Sequence, residues 1–451
     1  MKRFLVAITL FPLLLSAQSE DSVFIRKIAD EVLLNAKAFE NLHYLTKQIG
    51  GRLAGSPQMS KAEKWGVATM QQAGADTVYM QVCQVPHWVR GGIDKAEIIS
   101  VDNKKQHRNL DALALGNSIG SGKNGVTPEV VAVSSFDELE QRKNEVKGKI
   151  VFYNYPFNPT YVVPAKAYGE SGIYRYSGAS RAAKYGAVGV LIRSLTEATN
   201  NNPHTGAMKY NDSFPKIPAA ALGVYDADHL WQTCKDYKTV KISLSTFGHF
   251  LPDTTGHNVI GELRGTSSDF ITIGGHLDSW DVNEGAHDDG TGIVQTMEVL
   301  RVLKTLGYKP KKTIRFVLFA NEENGTRGGQ KYAEEAKAKN EHHVFALESD
   351  EGGFTPRGFS FSGNSEKVQD WKKLLEPYGG SEFSQGHGGT DIGPLNEQLN
   401  TIVSSFVPDN QRYFDIHHSR GDVFEAVNKR ELLLGAVNMA AIIYLVDKYG
   451  L

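Results

Sequence analysis

The sequence predicts an α/β protein: a mostly parallel, mixed sheet flanked by helices, with a smaller β-rich domain inserted into the chain. Three observations carry that prediction. From about Asn258 onward, short apolar runs alternate with amphipathic stretches, the pattern of strands joined through crossover helices. A block over residues 122–250 is set off by turn-rich runs, Gly120-Ser121-Gly122-Lys123-Asn124-Gly125 before it and Pro252-Asp253-Thr254-Thr255-Gly256 after it. Finally, 451 residues, 41% of them hydrophobic, allow two or three domains with sizeable cores. The boundaries drawn from this are a leader at 1–17, a larger domain over 18–121 and 251–451, and the insertion at 122–250.

The leader has a recognisable logic. Met1-Lys2-Arg3 is positive, residues 4–15 are apolar, and Ser16-Ala17 offers a small-residue cleavage site. About twelve apolar residues with Pro12 among them are too few for a bilayer, which needs ~20. The segment therefore reads as an export signal, placing the mature chain in the periplasm or outside the cell. No later segment is expected to span a membrane. With 49 basic and 51 acidic residues, the chain has no basic field for nucleic acid or anionic lipid. Cys83 and Cys234 are the only cysteines and form at most one bridge.

Taken in order, Ile25, Ile28, Val32, Leu33 and Phe39 recur at helical spacing, and a second helix is expected over 61–72. A turn-rich loop at 50–57 separates them, and strands follow near 78–85 and 95–101. In the insertion, 130–133 and 149–153 read as strands. Residues 181–187 read as a short helix ending at Gly186, before a buried strand at 188–192. In the last block, strands at 270–273, 313–319 and 344–347 alternate with helices at 291–306 and 330–339. A helix over 430–447 closes the chain.

Each strand of that block runs into groups that bind metals. The first leads to Gly274-Gly275-His276-Leu277-Asp278 and then Gly285-Ala286-His287-Asp288-Asp289-Gly290-Thr291-Gly292. The second leads to Asn321-Glu322-Glu323-Asn324, the third to Glu348-Ser349-Asp350, and later come His417-His418-Ser419. Sites in open α/β sheets form at the carboxyl ends of strands, so these segments are expected to converge. Taken singly, each has a plain structural reading: Asp289 or Thr291 caps a helix, Glu322-Glu323 is a solvated turn, and His342-His343 is a packing pair. Imidazole with carboxylate oxygen suits zinc, and the lack of cysteine points to a catalytic site. Five protein ligands exceed what one open zinc needs, whereas one Asp shared between two metals gives each three. Such a pair activates water and polarises a carbonyl, the chemistry of two-metal hydrolysis.

Gly116-Asn117-Ser118-Ile119-Gly120 fits the serine-hydrolase pattern G-x-S-x-G. That motif works only as an elbow between a strand and a helix, and the glycine-rich run after it cannot start a helix.

In these motifs the chain resembles the co-catalytic two-zinc exopeptidases, which include bacterial aminopeptidases and glutamate carboxypeptidases. The mature chain is similar throughout to the plasma glutamate carboxypeptidase (carboxypeptidase Q) group. Gly51-Arg52-Leu53-Ala54-Gly55-Ser56, His87-Trp88-Val89-Arg90-Gly91, Glu348-Ser349-Asp350 and Gly388-Gly389-Thr390-Asp391-Ile392-Gly393-Pro394-Leu395 match it in order. The resemblance implies two Zn2+ per chain, held by His276, Asp288, Glu323, Asp350 and His418, with Asp288 as the bridge. It makes Glu322 the general base and Asp278 the carboxylate that fixes the His276 imidazole. His418 is preferred to His417 because it directly precedes Ser419. At Gly325-Thr326-Arg327-Gly328-Gly329 the chain departs from the group's usual Leu and Ser, a change in loop packing that leaves the ligands alone.

The resemblance further implies a protease-associated domain in the insertion, with its motifs at 149–151 and 186–192, and makes a homodimer plausible. It also implies short unblocked peptides, dipeptides foremost, as substrates. Other readings are a carboxypeptidase, a non-catalytic binding relative, and a one-zinc cyclase acting on amino-terminal glutamine. For a substrate carboxylate, the glycine-rich loop at 384–391 offers N–H groups, and Arg327 or Arg90 offers charge.

Overall fold

The computed structural model describes residues 19–363 and 366–451; the predicted leader lies outside them. The first strand, β1 (Thr77–Val89), is followed by β2 (Lys95–Val101), β3 (Lys104–Leu110), β4 (Ala112–Ala114) and β5 (Val130–Val133). Next come β6 (Ile150–Tyr153), β7 (Gly189–Arg193), β8 (Ala219–Leu222) and β9 (Val240–Ser245). The chain then forms β10 (His249–Leu263), β11 (Asp269–His276), β12 (Thr313–Phe319) and β13 (His342–Glu348). It ends with β14 (Pro356–Phe361), β15 (Glu382–Gln385) and β16 (Ile402–Pro408).

The large sheet is ordered β1-β10-β12-β11-β13-β16-β14-β15. Its centre, β12-β11-β13-β16, is parallel. β10 pairs antiparallel with both β1 and β12, and β14 antiparallel with β16, so the sheet is mixed. Alternation along β12 sends Ile314, Phe316 and Leu318 to one face, where they pack with helices Thr291–Thr305 and Lys429–Tyr449. Val317 and Phe319 face the other way, against Tyr332, Ala333 and Ala336 of helix Arg327–Ala338. The chain leaves β11 for β12 on one side and returns to β13 on the other. A crevice forms at the carboxyl ends beside such a switch of order.

One expectation needs correction. Helix Lys429–Tyr449 is long and apolar enough to cross a membrane by composition, contrary to the reading that no later segment is. Its apolar character serves the core: Ala436, Val437, Ala440 and Ile443 are fully buried against the sheet's helical layer. Cys83 and Cys234 are both free, one in β1 and the other in helix Val224–Asp236.

The insertion has its own sheets. β5-β6-β7-β8 are parallel, with β4 antiparallel on β8, and β3-β2-β9 form an antiparallel sheet beside them. Residues 95–114, which the sequence boundaries left with the larger domain, therefore pair with inserted strands. The misleading signal was the glycine run at 120–125, a loop within this unit: Ser121 N–H bonds Thr246 O, and Val126 N–H bonds Leu244 O. The insertion also carries helix Pro164–Ala183, of which only the last turn was expected. Gly169, Gly172 and Gly178 lower helix propensity along it and hide its periodicity.

Candidate metal centre

All seven candidate residues lie at the carboxyl edge of the parallel strands. His276 is the last residue of β11, Glu322 and Glu323 follow β12, and Asp350 follows β13. Asp288 lies three residues before helix Thr291–Thr305, joined to Asp289 by a cis peptide. His417 and His418 follow helix Tyr413–Ile416, with His418 in the left-handed region at φ 60°.

The Asp288 carboxylate lies between two groups. Its Oδ1 is 3.2 Å from His276 Nε2, and that nitrogen is also 3.2 Å from Asp350 Oδ1. Its Oδ2 is 3.3 Å from His418 Nε2, which is 3.1 Å from Glu323 Oε2. His417 Nε2 also reaches Asp288 Oδ2, at 3.5 Å, and its ring stacks on His418. Only His418 spans to both carboxylates, which favours it over His417. The neighbouring His287 is engaged elsewhere, accepting from Gly353 N–H and bonding Ala426 O.

The surroundings hold this arrangement. His276 Nδ1 lies 3.0 Å from the Asp278 backbone carbonyl, which can only accept. A hydrogen therefore sits on Nδ1, which leaves Nε2 as the nitrogen that a cation between Asp288 and Asp350 would take. The Asp278 carboxylate is 3.7 Å from that ring and has a further task, accepting from Glu322 N–H and Glu323 N–H. Asp289 accepts from His276 N–H and from Gly292 N–H, tying the strand end to the helix start. Asp422 accepts from His287 N–H and Asp288 N–H. Arg52, fully buried, donates to the carbonyls of Leu277, Glu284 and Gly285, locking the loops on both sides of Asp288. Asp422 carried no sequence signal, and the part played by Arg52 inside its motif was not legible.

This cluster is short of positive charge. Burial, together with the charges of Asp350 and Glu323, pushes the Glu322 carboxyl up to about 8. Burial and the charge of Asp288 push Glu323 up to about 7. Burial disfavours charge on His276, yet Asp350, Asp278 and Asp288 outweigh it and hold the imidazole above its ordinary range. Asp288 Oδ2 and Glu323 Oε1 are buried without hydrogen-bond partners. Lone pairs of imidazole nitrogen and carboxylate oxygen facing one another at 3.1–3.3 Å fit divalent cations, which would supply the missing charge.

The centre opens into a cavity of about 330 Å³, walled on one side by the strand ends and on the other by Tyr168, Arg175 and Ala207 of the insertion. Of the proposed carboxylate-binding groups, Arg90 is already occupied. Arg90 grips Asp281 through both of its carboxylate oxygens and also meets Asp94. The N–H groups of Asp391 and Ile392 donate to Glu348. Ser118 is fully buried, accepts from Ala219 N–H and stands on no strand-to-helix elbow, which removes the serine-hydrolase reading.

The profile described as "Peptidase family M28" matches residues 258–443 of this chain. Mouse carboxypeptidase Q is 35% identical over 415 residues, covering 91% of this chain and 85% of that protein. The crystal structure of a peptidase M28 precursor from Shewanella amazonensis superimposes with a TM-score of 0.89 at 33% identity, covering 95% of this chain and 96% of that one. A zinc aminopeptidase from Bacillus subtilis shares the fold at a TM-score of 0.67 and 21% identity, over 91% of this chain and 94% of that one. With the strand-end cluster in place and these relatives matching along most of its length, the chain belongs to peptidase family M28 and is a metallopeptidase.

Proposed function

We propose that this metallopeptidase is a two-zinc exopeptidase acting on short unblocked peptides, dipeptides foremost, after export from the cytoplasm. The observation that carries the reading is the placement of Asp288, one oxygen toward His276 and Asp350 and the other toward His418 and Glu323. His276, Asp288 and Asp350 would hold one ion, and Asp288, Glu323 and His418 the other. Bound there, the ions supply Lewis-acid polarisation of the scissile carbonyl and a water acidic enough to attack near neutral pH.

The remaining work falls to protein groups. Glu322 lines the cavity, and Asp278 fixes its backbone through an N–H bond of 3.0 Å. From there it takes the proton of the attacking water and delivers it to the leaving amine. Tyr168 and Ala207 of the insertion close the cavity opposite the strand ends, which favours small substrates over long chains.

The carboxypeptidase reading is favoured by the name of the mouse relative. A mass-spectrometric screen of the zinc-loaded enzyme against dipeptides, amino-acid anilides and N-blocked peptides separates the two. Free dipeptides are expected to be cleaved fastest. N-blocked peptides cleaved equally fast would replace this reading by carboxypeptidase action. Elemental analysis giving one zinc or none per chain would overturn the two-ion centre.

A further inference from the structure

We propose that Arg175, carried by the insertion, binds the free carboxylate of the substrate; this rests on the reading of the protein as a peptidase of short unblocked peptides. The first support is a contrast among the arginines. Arg52 donates to three carbonyls, Arg90 pairs with Asp281, Arg301 with Glu298 and Glu31, and Arg315 with Glu262 and Glu341. Arg175 has no hydrogen bond or ion pair among the described residues. Its Nε is buried without a partner, and its one aromatic companion is the Tyr168 ring, 5.0 Å away. A buried guanidinium nitrogen without a partner is costly unless an acceptor arrives to pair with it.

Position supplies the second support. Arg175 lines the cavity that holds Asp288, Glu323 and His418, and also the adjoining cavity that holds Glu322. Gly206, at φ 131°, leaves the space open: a Cβ there would lie 2.5 Å from Arg175 Nη1 and 2.7 Å from His418 Nδ1. The guanidinium is therefore a neighbour of the proposed ligand His418 while belonging to a different sheet system.

Charge supplies the third. At the other end of the cavity, Asp350 and Glu351 continue into a space also lined by Glu348. A substrate carboxylate is repelled along that wall and attracted toward Arg175, the arginine that lines this cavity, whereas Arg327 lines the adjoining one and not this one. The planar fork of Arg175 matches a carboxylate with two parallel N–H bonds.

The test compares alanyl-leucine with alanyl-leucinamide on zinc-loaded enzyme, with zinc content and circular dichroism recorded for every variant. The wild type is expected to favour the free acid by about 10–100-fold in kcat/KM, chiefly through KM, the scale of a hydrogen-bonded charge. Arg175→Met should bring the two substrates together with zinc unchanged, Arg175→Lys should keep part of the preference, and Arg327→Met all of it. Arg175→Gln takes the place of Arg175→Met if the latter does not fold. A wild type indifferent to the amide, or a preference that survives removal of the guanidinium, overturns the assignment. Failure of the underlying reading looks different: N-acetyl-alanyl-leucine would be cleaved and alanyl-leucine would not. The acid-to-amide comparison then runs on the blocked pair with the same outcomes.

Discussion

The carboxyl edge of the large sheet and the facing helix of the insertion wall the same cavity with opposite chemistry. The sheet edge gathers Asp288, Glu323 and Asp350 around two imidazoles, an excess of buried negative charge. The insertion brings no such cluster, only Ala165, Tyr168, Ala207 and the unpaired Arg175. Under the proposed function, the contrast assigns bond cleavage and substrate selection to different parts of the chain. One edge would bind cations and activate water, and the other could change what enters without disturbing that edge. The two are joined by an apolar cluster, in which Phe157, Ala167 and Leu195 pack with Phe354, Tyr413 and Phe414, and by polar contacts. Thr205 N–H bonds the His418 carbonyl, Asn117 and Asn324 exchange hydrogen bonds, and Arg420 pairs with Asp111.

The sharpest way to break the comparison is to remove the residue common to both halves of the metal centre. Asp288→Ala is expected to lower zinc from two ions to fewer than one in dialysed protein and to bring hydrolysis to background. Retention of both ions would show that the sheet edge does not depend on its shared carboxylate. Next in size is Glu322→Gln, expected to keep both ions and lose roughly 10²–10⁴-fold in kcat, the scale of positioned acid–base catalysis. Normal turnover in that variant would remove proton transfer from the sheet edge.

A smaller effect concerns the frame. Arg52→Met removes donors from three carbonyls, two of them buried, at ~1–3 kcal/mol per unsatisfied buried group, so stability should fall by about 2 kcal/mol or more. Urea unfolding reads this loss, and an unchanged midpoint would mean that the loops around Asp288 hold themselves. The smallest effect belongs to the seam. Arg420 and Asp111 are 45% and 36% exposed, so solvent screening leaves their pair worth ~0–1 kcal/mol. A double-mutant cycle through Arg420→Ala and Asp111→Ala that returned several kcal/mol would show the insertion to be a structural clamp on the His418 loop.

The sequence by itself determined the alternation of strands and helices from β11 onward, because burial on both faces leaves long apolar runs. The strand at 313–319 coincides with β12, and helix 291–306 differs from the observed one only at its last residue. It also placed the candidate ligands at strand ends, since histidines and paired carboxylates directly after apolar runs have few other uses. It lost helix Pro164–Ala183 to three glycines, and with that helix both Tyr168 and Arg175. It drew the insertion's boundary at a glycine loop, because local turn chemistry carries no record of which strands will pair. Tertiary structure alone decided that His418 reaches both Asp288 and Glu323 and that Asp278 serves the backbone of Glu322. It alone decided that Asp422 and Arg52 brace the loop of Asp288, and that Arg175 lines the cavity without an anionic partner among the described residues. Each of these is a contact between residues far apart in the chain, set by how packed elements bring their ends together, and sequence spacing has no term for it.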